Sequence, residues 1–420
     1  MNTLRFALLA LLVGALPLTA TAQDDIQYNR PSGQDGLNMF ETPKEDDTEF
    51  DGLEVKVGGA FAQQLQALDH SSEGTDLAEI GRGFNLATAN LDLDAQLARG
   101  VRVHVRTYLS SRHHPDAWVK GGYLQIDELP MFDSPALDNL MNSVTLKMGH
   151  FMPNYGDTHF RRSDNAAAIH NPFVGNYVLD AFTTEVGASA TIQKNGFLAV
   201  GGFGGEMSPT VASPDARAPS FYGKLGFDRQ VSELVRLRLT GSVYYTKSSA
   251  ANHLHSGDRA GSRYYNVIGG GDWSGRIQSN FGDQVTAFML NPFVRIGGLE
   301  LFGVVESVSG NGPGLNEDGD LSHYGGEVLY RFADDDFYVG TRFSTVEGTL
   351  NHAGRGQAPI WTHSNSADRW QVAAGWYMTD NMLAKLEYVS QTYEGFPADS
   401  APARHGAEFS GVMVEAVVSF

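Results

Sequence analysis

From Leu53 to the C-terminus the chain alternates apolar and polar residues at a period of two, which is the side-chain periodicity of a half-buried strand and not of a helix. In the stretch Val101–Leu109 the odd positions are mainly apolar, while Arg102, His104, Arg106 and Tyr108 occupy the even ones. Residues 235–245 repeat the pattern: Val235, Leu237, Leu239, Val243 and Tyr245 face one way, and Arg236, Arg238, Thr240 and Ser242 the other. Leu91, Leu93, Ala95 and Leu97 likewise alternate with Asp92, Asp94 and Gln96. Sixteen such segments are predicted as strands. The first eight lie near 53–68, 83–97, 101–111, 118–128, 143–150, 183–193, 197–206 and 218–228. The second eight lie near 234–246, 284–296, 299–309, 321–332, 336–346, 367–378, 382–393 and 407–420.

The connections alternate in length. Short turns are expected at Arg99-Gly100, Lys194-Asn195-Gly196, Gly297-Gly298, Asp334-Asp335-Asp336 and Thr379-Asp380-Asn381. Long polar connections lie between them, at 69–82, 151–182, 247–283, 310–320, 347–366 and 394–406; the segment 129–142 is a longer connection on the short side. An even strand count with short connections at one end and long ones at the other predicts an all-β, 16-stranded antiparallel transmembrane β-barrel. A secreted β-sandwich array or surface adhesin also alternates, but its loops need not segregate by length. Aromatics near strand ends (Tyr244, Tyr245, Tyr264, Tyr265, Tyr330, Phe332, Trp376, Tyr377, Tyr388 and Tyr393) suit interface girdles. In the last strand Val412, Val414, Ala416, Val418 and Phe420 should face lipid, with Met413, Glu415 and Ser419 inward.

Residues 1–22 read as a secretory signal: Arg5, an apolar stretch from Phe6 to Leu18, then Ala20-Thr21-Ala22 before a cut. Its apolar core is too short to span a bilayer, and no later apolar run reaches the roughly 20 residues a membrane helix needs. Residues 23–52 carry nine acidic side chains against Arg30 and Lys44, and read as a solvated, flexible lead-in to a barrel spanning 53–420. The chain contains no cysteine, which excludes disulfides, thiolate metal sites and a cysteine nucleophile. Its net charge of −19 argues against general nucleic-acid binding.

These features resemble the trimeric porins of Gram-negative outer membranes: a leader, sixteen strands, long loops and a terminal Phe420. The segment Lys147-Met-Gly-His-Phe-Met-Pro-Asn-Tyr-Gly156 is similar to the Gly-x-Phe-x-x-Pro-[Phe/Tyr]-Gly stretch of phosphate-selective-type porins, which leads into their third external loop. The dense Arg/Lys ladder of that family is not matched. The resemblance implies that 151–182 folds inward and narrows a pore. It also implies a homotrimer in the lipopolysaccharide-bearing outer membrane, inserted by the barrel assembly machinery.

Within that loop Asp157, His159, Arg161, Arg162 and Asp164 are the candidate constriction residues, because rings of charge at a narrowing sort ions; pairing of the arginines with Asp157 or Asp164 merely to hold the loop is the alternative. Arg102, Arg106, Lys147, Lys224, Arg236 and Arg238 fall on polar phases and are candidate pore-wall cations, opposed by Asp92, Asp94 and Asp127. Neither His253-x-His255 nor Asn316, Glu317, Asp318 and Asp320 form a complete metal-site pattern. No Gly-x-Ser-x-Gly nucleophile elbow occurs. No cofactor, metal or catalytic group is expected. The reading is a water-filled channel for small hydrophilic solutes and ions with a weak anion preference. A substrate-specific channel for phosphate or another small anion and, further off, a barrel hydrolase are the alternatives.

Overall fold

The computed structural model describes residues 26–85, 87–109, 117–163, 167–205, 218–249, 252–255, 265–268, 274–279, 281–311, 319–349 and 364–420. Among these residues one antiparallel sheet closes on itself. Its first half runs β1 (Glu54–Ser71), β2 (Gly83–Phe84), β3 (Thr88–Ala98), β4 (Val101–Leu109), β5 (Ala117–Ile126), β6 (Val144–Phe151), β7 (Glu185–Lys194), β8 (Phe197–Gly204) and β9 (Ser220–Gln230). The second half runs β10 (Val235–Thr246), β11 (Val285–Ile296), β12 (Leu299–Gly310), β13 (Gly319–Phe332), β14 (Phe337–Thr349), β15 (Ser364–Thr379), β16 (Met382–Glu394) and β17 (Glu408–Ser419). β2 is a two-residue piece against β1. The remaining sixteen are the staves of a closed barrel. Closure is made by β1, which pairs with β17 from Ala60↔Ser419 to Ser71↔Glu408 and with β3 from Glu54↔Gln96 to Ala62↔Thr88. Among the described residues no edge strand is left, and each stave has a partner on both sides.

Burial is inside-out relative to a water-soluble protein. Arg342 and Arg369 are each 1% exposed and Glu387 and Glu415 are fully buried, whereas Leu386 is 53% exposed. In β17 Val412, Val414, Val418 and Phe420 point outward and Met413, Glu415, Val417 and Ser419 inward, the phase the alternation implies. A one-residue slip would reverse both sets, so the register is strongly specified. Among the described residues no helix is long and apolar enough to cross a membrane.

One expectation about aromatics is corrected. Tyr245, Tyr330, Phe332, Trp376 and Tyr388 do lie on the outer face, but Tyr244, Tyr265, Tyr377 and Tyr393 are buried inside, and Tyr264 lies outside the described residues. Strand ends carry aromatics on both phases, and only the outward phase contributes to a girdle. At the short-turn end that girdle is a stacked row: Tyr330–Phe332 at 6.2 Å, Phe332–Phe337 at 5.7 Å and Phe337–Trp376 at 6.0 Å between centroids.

The short connections behave as their chemistry requires. Asn195 and Gly196 both adopt positive φ (54° and 83°), as a two-residue turn matching strand twist demands. The longer connection of that end, 129–142, holds a short helix, α1 (Pro135–Met141), started by proline at its first turn.

The lead-in divides in two. Around Ile26, Asn38 and Phe40, buried at 4%, 6% and 3% exposure, it packs inside the molecule, whereas Asp35, Glu45, Asp47, Glu49 and Asp51 are exposed as the acidic composition implies. Two of its acids are partnered: Glu41 by the wall cations Lys224 and Arg238, and Asp46 by the N–H groups of Tyr28 and Thr48 within the lead-in itself. This strap touches much of the short-turn rim. Gln27 Oε1 accepts from the Gly100 N–H at 3.0 Å, and Lys44 donates to Asp127 and to the Val144 carbonyl. On the far side the Gln34 N–H donates to the Asp380 carbonyl at 2.8 Å, and the Ser419 hydroxyl donates to the Ser32 carbonyl.

Candidate functional site

Two inserts meet inside the barrel: the strap 26–52 and the connection 151–182. The latter enters from β6 through Gly156, whose φ of +64° and near approach to Met289 (a Cβ there would sit 2.2 Å from its sulfur) admit only glycine. Tyr155 then buries its ring and donates to Glu306 at 3.0 Å, and Asn154 donates to Glu41 of the strap at 3.0 Å. Farther on, the Val174 and Gly175 N–H groups donate to Glu387 on β16, and Tyr177 donates to Glu327 on β13. The loop therefore reaches from β6 across to the opposite wall, anchored by Phe151, Tyr155, Ile169, Phe173, Val174, Tyr177, Val178 and Leu179, all buried.

A four-residue charge cluster joins both inserts to the wall. Arg238 of β10 donates bidentately to Asp157, Nε to Oδ2 at 2.8 Å and Nη2 to Oδ1 at 2.9 Å. Lys224 of β9 donates to the same Asp157 at 2.8 Å, as does the Thr240 hydroxyl at 2.7 Å. Glu41 of the strap takes the other side of both cations, 2.8 Å from Arg238 and 3.4 Å from Lys224. Burial opposes ionisation of Asp157 and Glu41, but Lys224 and Arg238 outweigh it and hold both carboxyls below the usual range.

The other candidates divide cleanly. Arg161 lies against Glu327 at 3.1 Å and Glu300 at 3.6 Å and donates to Asn38 of the strap. Arg162 forms a bidentate pair with Asp180 at 2.9 and 2.6 Å. Arg236 pairs bidentately with Asp228 at 2.9 and 2.8 Å. Arg102 pairs with Asp94, and Arg106 pairs bidentately with Asp92 at 2.7 Å for both bonds. Lys147 stands 4.3 Å over the Tyr123 ring. Asp164 lies outside the described residues.

Beside the inserts lies a cavity of about 340 Å³, walled by β1 and β3–β7 and floored by the inserts. Lys56, Arg102, Arg106, Lys120 and Lys147 line it from the wall, and Arg30 and Arg162 from the inserts. Three carboxylates, Glu41, Asp92 and Asp94, oppose these seven cations, and His104, His150, His159 and His170 complete the ionisable set. The wall and loop candidates thus fall into two groups. Lys224, Arg236 and Arg238 do not line this cavity, and neither do Asp157 and Arg161; all five are spent anchoring the inserts. Sequence phase identified which side chains point inward, but not which of them another chain segment would cover. Lys120, His150 and Arg30 were missed: Lys120 sits at a register shift that reverses the phase of Tyr123 and Gln125, His150 has the parity of the outward Met148, and Arg30 belongs to a segment assigned to solvent.

His159 makes the site pH-sensitive. Burial and the Lys224 ammonium push its pKa down to about 3, although the half-buried ring also edges the cavity. A group that protonates in the released loop but not in the docked loop favours release, so docking should weaken as pH falls from roughly 6.5 toward that value. Asp157 and Glu41, lowered in the docked state, contribute stabilisation that is present above the ordinary carboxyl range and lost below roughly pH 4. Protease cleavage of 151–182 in the folded barrel should accelerate in these two stages on acidification. His170, in the same loop, is likewise held well below its usual range by burial and by Arg30, so His159→Gln should shrink the upper stage and His159→Gln/His170→Gln should remove it; an unchanged profile in the double variant would refute the assignment.

Ser344, His323 and Glu306 also form a chain, with His323 3.1 Å from the Ser344 hydroxyl and 3.3 Å from Glu306. A hydrolytic reading needs substrate access. All three are buried, none lines the cavity, and the Ser344 oxygen faces the Val178 N–H at 3.4 Å. His255 closes on Glu306 at 2.9 Å, and among the described residues no three metal-ligating side chains gather.

No family model and no curated protein sequence matches the chain. Solved structures do. OmpT, an outer membrane protein of Vibrio cholerae, aligns over 89% of this chain and 99% of its own at 12% identity, with a TM-score of 0.51. The anion-selective porin from Comamonas acidovorans aligns over 88% and 100% at 11% identity, with a TM-score of 0.55. The outer membrane channel DcaP of Acinetobacter baumannii aligns over 89% and 99% at 10% identity, with a TM-score of 0.50.

The chain has a porin fold. Within that fold the two inserts fill the side of the lumen toward β10–β16, where Arg331 pairs with Glu300, Arg342 with Glu327 and Lys385 with Glu415. Among the described residues the cavity beside the inserts lies on the cation-rich side, along β1 and β3–β7.

Proposed function

We propose that this protein is an outer-membrane channel through which small hydrophilic solutes and ions diffuse passively, with a modest preference for anions. The observation that carries this reading is the cavity inside a barrel with an apolar outer face, lined by seven cationic side chains and three carboxylates. A positive excess lowers the barrier for an anion and raises it for a cation. The effect is limited, because Asp92 and Asp94 neutralise two of the arginines at contact distance and mobile ions screen the rest within about 8 Å at physiological salt. His159 and Arg162 bring the 151–182 loop to this passage, while Asp157 and Arg161 hold it there. The short turns would lie in the periplasm and the long loops outside, after removal of residues 1–22 near Ala22. Lipopolysaccharide would surround the barrel after insertion by the assembly machinery, and a homotrimer is the expected assembly; one of the similar Vibrio cholerae structures is described as a trimer form.

The test is the reversal potential of the purified protein in a KCl gradient across a planar bilayer. A several-fold anion preference at low salt that fades as salt rises is expected. Replacing Lys147 and Lys56 with Gln should reduce it, whereas Arg236→Gln, which lies off the cavity, should leave it unchanged. Cation preference in the parent would overturn the anion reading, and absence of stepwise currents would overturn the channel reading. A narrower reading, a specific uptake channel for a small anion such as phosphate, is favoured by the aromatic and histidine side chains set among the cations, Tyr123 and His104 being 5.0 Å apart. Saturation of the chloride current by added phosphate at millimolar concentration would distinguish it from free diffusion.

A further inference from the structure

The strap and the 151–182 loop are two layers of one obstruction. Arg30 donates to the Phe160 carbonyl, Phe40 packs edge-on against Phe160 at 5.8 Å and against Phe293 at 5.4 Å, and Leu37 packs against the cluster containing Ala168 and Ile169. A Cβ on Gly36 would lie 2.9 Å from His170. The layers also share a lock, because Glu41 and Asp157 bind the same two cations, Lys224 and Arg238.

The two layers are anchored unequally. The loop is rooted in the wall at both ends, by β6 and β7, and buries eight large apolar side chains, each about 1.5–3 kcal/mol against exposure. The strap joins the barrel through β1 alone, and its anchors with apolar surface are four, Ile26, Tyr28, Leu37 and Phe40, against the loop's eight. Its other attachments are polar: Gln27 to Gly100, Lys44 to Asp127, Gln34 to Asp380, Asn38 to Glu300 and Glu41 to the two cations. Away from the buried acids Glu41 and Glu300 such bonds exchange for water bonds at a small net cost, about 1 kcal/mol each, once the rim is hydrated; the buried Glu41 pairing is the strong attachment, which is why it serves as the latch. The segment is moreover acidic and poor in large apolar residues, so it is soluble when undocked.

We infer that residues 26–52 are a displaceable gate at the short-turn mouth of the barrel, latched by Glu41 to Lys224 and Arg238, and that the 151–182 loop is the fixed layer it closes against. Withdrawal uncovers the Ala168–His170 turn and the cation pair and widens the route past the loop. The electrical part of its test rests on the channel reading; the chemical part does not.

The absence of cysteine in the sequence makes a reversible latch straightforward to build in the full chain. Gln34 and Asp380 meet through a backbone hydrogen bond of 2.8 Å, which makes this contact the place to cross-link the strap to the rim. In the Gln34→Cys/Asp380→Cys variant, oxidation should abolish openings to a larger conductance, and reduction of the same sample should restore them, which controls for folding. Glu41→Gln should raise the frequency of the larger state several-fold. Independently of any current, Ala168→Cys, at a site fully buried in the closed form, should react with a maleimide slowly in the otherwise parental chain and at least several-fold faster when combined with Glu41→Gln. Equal labelling rates in those two chains would overturn the gate, whatever the currents do. Equal conductance patterns in the oxidised and reduced forms, with labelling accelerated, would show that the strap moves without controlling the passage and would equally overturn its role as a gate. Absence of all current with accelerated labelling would instead count against the channel reading alone.

Discussion

Leu386→Arg should destabilise the folded barrel by about 2–4 kcal/mol, the cost of a guanidinium near the middle of a bilayer. Leu386 is on the outer face of β16, paired with Ala374 and Val414. It follows Met382 by four residues, roughly 13 Å along the strand. A strand tilted by about 40° rises roughly 10 Å over that length, close to the centre of an apolar band about 25 Å tall. Met378→Arg, outward-facing but next to the Asp380 turn, should cost at most about 1 kcal/mol because its head group reaches the interface. Equilibrium unfolding by urea in lipid vesicles measures both. On a face bathed in water the two substitutions would be equal and within about 0.5 kcal/mol of neutral, so equality would remove the membrane assignment.

Asp157→Ala should have the second large effect, and on the loop rather than on the barrel. Its carboxylate, fully buried, receives Arg238, Lys224 and Thr240 together, and its own N–H donates to Asn291 at 2.8 Å. Removing it leaves two buried cations sharing Glu41, with Asp228 3.0 Å from Arg238 as the other acid in reach. Breaking one side of a buried pair costs about 3–5 kcal/mol. The staves are held by continuous ladders, so the expected result is a folded barrel with an undocked loop. That state should show larger and noisier conductance and rapid proteolysis within 151–182. The double variant Asp157→Ala/Arg238→Met should recover part of the loss, since it removes one of the stranded charges. Parental conductance and parental protease resistance in Asp157→Ala would show that the cluster does not hold the loop.

The staves were legible because a barrel wall writes its environment into every second residue. All sixteen predicted segments are strands, and even the last one, Val412 to Phe420, has the orientation read from its alternation. The inward phase was legible for the same reason: Arg102, Arg106, Lys147, Lys224, Arg236 and Arg238 all point away from the outer face. Period-two patterning, however, reports only that a side chain is not in lipid. Water, a partner carboxylate and a folded insert all satisfy an arginine, and the pattern is the same for each.

That degeneracy marks the boundary between what the chain order determined and what the folded structure decided. Alternation, turn dipeptides such as Asn195-Gly196 and the unequal connections determined the closed sheet, its register and the sign of every face, because each is a local balance of side chain against lipid or water. Which cations stay open to a solute was decided by segments far apart in sequence. Glu41 meets Lys224 and Arg238 across the lumen, and Arg161 meets Glu300 and Glu327. An acidic, apolar-poor segment such as 26–52 reads as solvated by composition, and only closure of the barrel creates the ring of cations and amides that holds it.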